Sequence, residues 1–298
     1  MGGAHRSILA QATRPARALT LKSVPEFVKV LVMGADPATW PSLLAATIAQ
    51  RLYVFVFLTV FLLLAGRDLG WRRAAGWLVW GFAVAFSAEY ASTRVGIPFG
   101  LYHYTGATAG RELFISNVPF FDPLSFPFLA YASYCLARWA LARAAGWAPL
   151  ALAGVLMMLL DVVIDPLAVR GERWFLGHVF YYPEGGVYFG VPISNFVGWA
   201  LVGSAIVGGY LWVERRRARP PGSPAGGIGL YYGVLCFMLA MTGRIGEWRL
   251  LGAGILVHVA VILVLCRLRA LSTARGWEAL HRGAAGPAAT AATDKRGV

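Results

Sequence analysis

Four acidic side chains fall inside long apolar stretches of this chain or at their ends. They are Glu89, Asp161, Asp165 and, at a margin, Asp122. The stretches run roughly over 43–65, 74–92, 120–141, 149–166, 194–213, 228–243 and 250–268. A carboxylate in hydrocarbon costs at least ~2.5 kcal/mol, so one that persists there needs a partner or a task. Asp161 and Asp165 are four residues apart, which stacks them on one helical face. Burial disfavours the charged form of a carboxyl, and a second carboxyl nearby disfavours it further. Buried, clustered carboxyls therefore point to proton chemistry.

The elements that would position them are membrane helices. The chain has 298 residues, 58% hydrophobic and 14% charged. A spanning helix needs about 20 apolar residues, and several stretches reach that length. The fold predicted is all-α, a polytopic membrane bundle of about seven transmembrane helices, multi-pass in the cell membrane. Residues 1–40 form a basic N-terminal segment, with Glu26 to Met33 a candidate interfacial piece and no signal-peptide core. Residues 41–270 form the helical domain. Residues 271–298 are Ala/Gly-rich and predicted to be disordered. The net charge of +13 sits almost wholly between and beyond the apolar blocks, as in Arg72-Arg73 and Arg215-Arg216-Arg217. That pattern serves topology and lipid headgroups and argues against nucleic acid. Cys135, Cys236 and Cys266 lie unpaired within apolar blocks, without disulfide or metal spacing.

Arginine is concentrated in loops 66–73, 142–148 and 214–227, which assigns these to the cytoplasm. The N-terminus then lies outside, in conflict with its own basic residues unless a re-entrant segment precedes residue 40. The two longest loops, 93–119 and 167–193, share the other face. They echo one another in Gly100-Leu101-Tyr102-His103 and Gly186-Val187-Tyr188-Phe189, a pattern consistent with an internal repeat. Glu89 ends its span at that face. Asp161 lies only about 7 Å below the helix end at Pro166. The next span begins there with Asn195 and Trp199, and Arg51 belongs to the same leaflet. These groups describe a polar pocket rimmed by Tyr102, His103, Tyr104, Asn117, Tyr188 and Asn195. Trp174, Phe180, Tyr181 and Tyr182 add aromatic surface.

Structural explanations compete at several positions. Glu89 could pair with Arg51, which would keep it ionised and favour Asp161 as the acid. Asp165 could cap a turn before Pro166 or pair with Arg170. Asp122 could cap the third span. Arg244 and Glu247 could pair across a short loop. His258 reads as a packed core histidine, and His103 as an interfacial hydrogen-bonding group.

The segments GLYHYTGATAGRELFISNVPFFDP (100–123), LMMLLDVVIDPLAVR (156–170) and GGVYFGVPISNFVGW (185–199) resemble signature stretches of a known family. It is the carotenoid biosynthesis protein family, which contains CruF-type acyclic carotenoid hydratases and bisanhydrobacterioruberin hydratases. The family pattern corresponds here to Glu89; to Gly100, Tyr102, Tyr104, Val118 and Pro119; and to Asp161, Asp165 and Pro166. Its last segment corresponds to Tyr188, Gly190, Val191, Pro192, Asn195, Gly198 and Trp199. The resemblance covers about residues 43–268. It implies cofactor-free addition of water to the 1,2 double bond of an acyclic carotenoid end group, giving a tertiary 1-hydroxy carotenoid. The bilayer and the carotenoid are the partners implied, with other enzymes of the pathway as further candidates.

That reaction suits the residues. Protonation at C2 gives a tertiary cation at C1, which water captures. Asp161 or Glu89 would be the acid, with Asp165 orienting the water. Asn117, Asn195 or His103 could assist in holding it. Aromatic faces of Tyr102, Tyr104, Tyr188 and Trp199 could each stabilise the cation by roughly 0.5–2 kcal/mol. Two other readings use the same carboxyls: a proton-initiated cyclase or isomerase that excludes water, and a non-enzymatic proton-coupled carrier. A retinal protein is excluded because Lys22, Lys29 and Lys295 all lie outside the spans, and a di-iron hydroxylase because the five histidines are scattered.

Overall fold

The computed structural model describes residues 40–142, 146–173, 176–214 and 222–284. Among them run eight α-helices: α1 Trp40–Gln50, α2 Leu52–Asp68, α3 Trp71–Val95, α4 Phe121–Ala140, α5 Ala148–Ala168, α6 Ile193–Glu214, α7 Ala225–Arg244 and α8 Trp248–Ala284. Each of the seven predicted stretches falls on helix, but the first is broken. Between α1 and α2 the chain bends by 87° at Arg51. The Arg51 guanidinium is drawn into a bidentate pair with Glu112, Nε to Oε2 at 2.9 Å and Nη2 to Oε1 at 2.8 Å. Both side chains are fully buried. Arg51 also lies 3.8 Å from the Phe121 ring centroid.

Among the described residues, four helices are long and apolar enough to cross a membrane: α5, α6, α7 and α8 through Ala274. A fifth joins them if α1 and α2 count as one bent span. Seven apolar spans were expected, and α3 and α4 are the two that fall short. In α4 the reason is its position. It packs against α2, α3, α5, α6, α7 and α8, and nearly all of its side chains are buried. Enclosed by other helices, it meets little lipid and can carry Asp122, Pro127 and Arg138. Trp77 of α3 donates its indole N–H to the Pro127 carbonyl at 2.9 Å. The last helix runs on to Ala284, past residue 270, where a disordered tail was predicted. The predicted interfacial segment and the proposed re-entrant piece, both before residue 40, lie outside the described residues, as do Trp174 and residues 285–298.

Helices α5 and α6 approach one another closely at Gly154. A Cβ on Gly154 would stand 2.1 Å from the Ser204 hydroxyl and 2.4 Å from the Ala200 carbonyl. Small residues of this kind let membrane helices approach backbone to backbone. The approach sets the α5 carboxyls beside the first turn of α6.

Two loops close one end of the bundle. In the first, β1 (His103–Tyr104) and the hairpin strands β2 (Phe114–Ile115) and β3 (Val118–Pro119) follow α3. The second carries β4 (Phe180–Tyr181) between α5 and α6. β1 pairs antiparallel with β4, His103 opposite Tyr181 and Tyr104 opposite Phe180. The ladder thus joins 103–104 to 180–181 rather than the two echoing Gly-x-Tyr segments to one another. α3 ends at Gly96, whose φ of 74° is the left-handed conformation that favours glycine. The Ser92 hydroxyl then accepts the Phe99 N–H at 3.0 Å and turns the loop inward.

Candidate active site

Beneath the two loops lies a cavity of about 100 Å³. Room for one water needs roughly 10–15 Å³, so this space holds several, or one small apolar end group. Three carboxyls line it, each from a different helix: Glu89 of α3, Asp122 of α4 and Asp165 of α5. Tyr102 and Tyr104 enter from the first loop and Tyr182 from the second, while Asn195 and Trp199 enter from α6. Apart from Ser125 and the Tyr53 phenol, the remaining wall is apolar and aromatic. Phe126 stacks on Trp199, with centroids 4.4 Å apart at 16°, and Phe99 packs on both.

The β1–β4 ladder aims Tyr104 into this space. Its hydroxyl lies 2.7 Å from Asp122 Oδ2 and 3.1 Å from Glu89 Oε2. A phenol has one proton to donate. Satisfying both contacts therefore requires one of the two carboxyls to carry a proton and donate it to the phenol oxygen. The Tyr102 hydroxyl follows at 3.4 Å, the outer limit of a hydrogen bond. Burial first, and the nearby Glu89 second, raises the Tyr102 phenol well above its ordinary range. Burial and Asp122 do the same to Tyr104, and burial and Asp165 to Tyr182. All three phenols are therefore neutral donors at physiological pH.

A second group sits on the α5–α6 side. The Asn195 amide donates to Asp161 Oδ2 at 2.6 Å and to Asp165 Oδ2 at 2.8 Å. Its two N–H bonds serve one carboxyl each. The Trp199 indole lines the same cavity as Asp165. Asp165 faces the cavity. Asp161 stands behind it, fully buried and outside the lining, with Oδ1 lacking a hydrogen-bond partner.

The predicted residues therefore divide. Glu89, Asp165, Tyr102, Tyr104, Asn195 and Trp199 meet at the cavity, and Asp161 reaches it only through Asn195 and Asp165. Three others lie elsewhere. His103 packs on Tyr181 on the outer side of the ladder. Asn117 sits at the β2–β3 turn and accepts from Arg94 at 2.9 Å. Tyr188 packs on Phe189 and Phe196. The predicted Glu89–Arg51 pair does not form, because Glu112 takes Arg51. Arg170 lies 3.4 Å from Glu247 rather than beside Asp165, and Glu247 also pairs with Arg173 rather than reaching across to Arg244. His258 is a core residue as expected, 3.0 Å from the Leu159 carbonyl. Asp122, the marginal member of the four acids in the sequence and open there to a capping role, lines the cavity and meets Tyr104. Its signal was its place at the loop-side end of a span, the same end as Glu89.

Fold and site together define a helical membrane-type protein with an acid-lined, aromatic-walled pocket sealed at one end by paired loops. The chain belongs to the family described as "Carotenoid biosynthesis protein", which matches residues 45–267. It is 33% identical over 138 residues to a protein named bisanhydrobacterioruberin hydratase from Haloarcula japonica. That alignment covers 46% of this chain and 44% of the relative, less than half the relative's length. No solved structure matches the chain.

Proposed function

We propose that the protein is a carotenoid hydratase, adding water across the 1,2 double bond of an acyclic carotenoid end group to give a tertiary alcohol. The observation that carries this reading is the convergence of Glu89, Asp122 and Asp165 on one apolar, aromatic cavity, with Tyr104 bridging the first two. Family membership and the hydratase relative support it.

Glu89 is the acid in this reading. Tyr104 donates across the shorter contact to Asp122, and a protonated Glu89 donates to the phenol oxygen. Glu89 passes its proton to alkene C2, and the pair of π electrons becomes the new C–H bond. The cation left at C1 faces Trp199, Phe126 and Tyr102, whose rings stabilise it without trapping it covalently. Asp165, held by Asn195, orients the water. As the water oxygen bonds to C1, its proton passes to Asp165. Proton exchange between the carboxyls through water restores Glu89, so the sum is alkene plus water. Positioned acid–base groups contribute about 10²–10⁴-fold in rate. Asp161 is a positioning residue, acting through Asn195 and Asp165. In this reading all seven helical rods sit across the cell membrane, α4 shielded by the others, with the arginine-rich loops in the cytoplasm.

The test is expression of the protein beside enzymes that make an acyclic carotenoid, in water enriched in heavy oxygen. A product heavier by one water, its hydroxyl oxygen drawn from solvent, supports the hydratase. A cyclised or isomerised product without added oxygen would assign the same acid to a cyclase or isomerase, and oxygen drawn from dioxygen would exclude hydration.

A further inference from the structure

The cavity accommodates an end group but not a polyene, so the rest of such a substrate must lie elsewhere. On the outer face of the bundle a groove of about 640 Å³ runs between the start of α2 and the end of α7. It opens at the same end as the two loops. Leu52, Val56, Phe57, Phe237 and Met241 line it, and Gln50 and Arg244 are its polar members. Leu52 and Val56 are 57% and 50% exposed, so its outer wall faces the surroundings of the bundle.

Groove and cavity share a wall. Tyr53 and Phe57, one turn apart on α2, line both. From α7, Val234 and Met238 face the cavity while Phe237 and Met241 face the groove. The partition is one layer of rings. Tyr53 stacks on Phe237 at 5.3 Å and 17°, and Phe57 meets Phe237 edge-on at 5.8 Å. Phe57 also contacts Phe128, a residue of the cavity wall, at 5.9 Å. These contacts are between aromatic rings and carry no hydrogen bond from ring to ring.

Resting on the hydratase reading above, we propose that this groove binds the polyene chain of the carotenoid, whose end group enters the cavity laterally between Tyr53, Phe57 and Phe237. Flat aromatic faces and the thioether of Met241 suit a long, rigid conjugated chain. The thin aromatic wall that the groove shares with the acid-lined cavity distinguishes it from an ordinary lipid-facing furrow.

The test reads binding rather than turnover. An achiral polyene gains circular dichroism in its visible band only when held in a chiral site. The full-length protein in nanodiscs is titrated with a linear acyclic carotenoid. Val56→Trp and Met241→Trp fill the groove without touching the cavity lining, and each should weaken binding at least about tenfold. Val259→Trp places the same bulk on an exposed face of α8 and should leave binding unchanged. Wild-type affinity in both groove variants would overturn the proposal, as would an equal loss in Val259→Trp or the absence of any induced signal in a wild-type protein that hydrates. A signal lost only in the groove variants, in a protein without hydration activity, would uphold the groove and reject the hydratase.

Discussion

Removing a single oxygen tests the central arrangement. Tyr104→Phe keeps the ring between Tyr102 and Phe180 but deletes the hydroxyl that joins Asp122 at 2.7 Å and Glu89 at 3.1 Å. Two hydrogen bonds to buried carboxyls vanish together. The bond to a charged Asp122 is worth about 1.5–3 kcal/mol, and each buried group left unsatisfied costs about 1–3 kcal/mol. If only about 2 kcal/mol of this falls on the transition state, the rate drops roughly 30-fold. If Glu89 can no longer hold its proton toward the cavity, the drop approaches the 10²–10⁴-fold of general acid catalysis. Tyr102→Phe is the internal control, since its 3.4 Å contact is at the limit of a bond and its loss should cost less than about tenfold. The assay is the initial rate of hydroxylated carotenoid formed by isolated membranes, with protein amount matched by immunoblot. A Tyr104→Phe enzyme as fast as wild type, or no slower than Tyr102→Phe, would refute the bridged-carboxyl mechanism.

Further outcomes follow from the same geometry. Asp165→Asn should reduce turnover more than Asp161→Asn, because Asp165 faces the cavity and Asp161 does not; rates in the reverse order would return the acid to Asp161. Glu112→Gln leaves Arg51 charged and buried, and should cost about 3–5 kcal/mol in unfolding free energy. Arg51→Met combined with Glu112→Leu should recover most of that loss in a double-mutant cycle. Gly154→Ala should destabilise by about 1–3 kcal/mol and lower activity, since its methyl would force α5 away from Ser204 and Ala200; an unfolding midpoint equal to wild type would contradict the close approach. Tyr102, Tyr104 and Tyr182 have raised phenol pKa values. Their contribution to stability is intact below the ordinary phenol pKa of about 10 and declines above it, as the unfolded chain alone releases protons. Thermal unfolding between neutral pH and pH 11 measures that decline.

Hydropathy and spacing were enough to predict the apolar helices and the clustering of acids at one end of the bundle, while the segments 100–123, 156–170 and 185–199 carried the likeness to the carotenoid family. These are properties of short segments: an apolar run seeks nonpolar surroundings, and residues four apart share a helical face wherever the helix lies. The partners were decided only by tertiary structure. Along the chain Glu89 offered itself as the partner of Arg51, yet the first loop folds so that Arg51 meets Glu112. Asp122 is open to a capping role along the chain, yet the β1–β4 ladder lowers Tyr104 onto it. Asp161 and Asp165 share a face by spacing alone, and the Gly154 approach to α6 decides which of them Asn195 leaves facing the cavity. The bend at Arg51 and the shielding of α4 likewise depend on contacts distant in sequence. A side chain's environment is set by whichever distant segments arrive beside it, and no local pattern encodes that arrival.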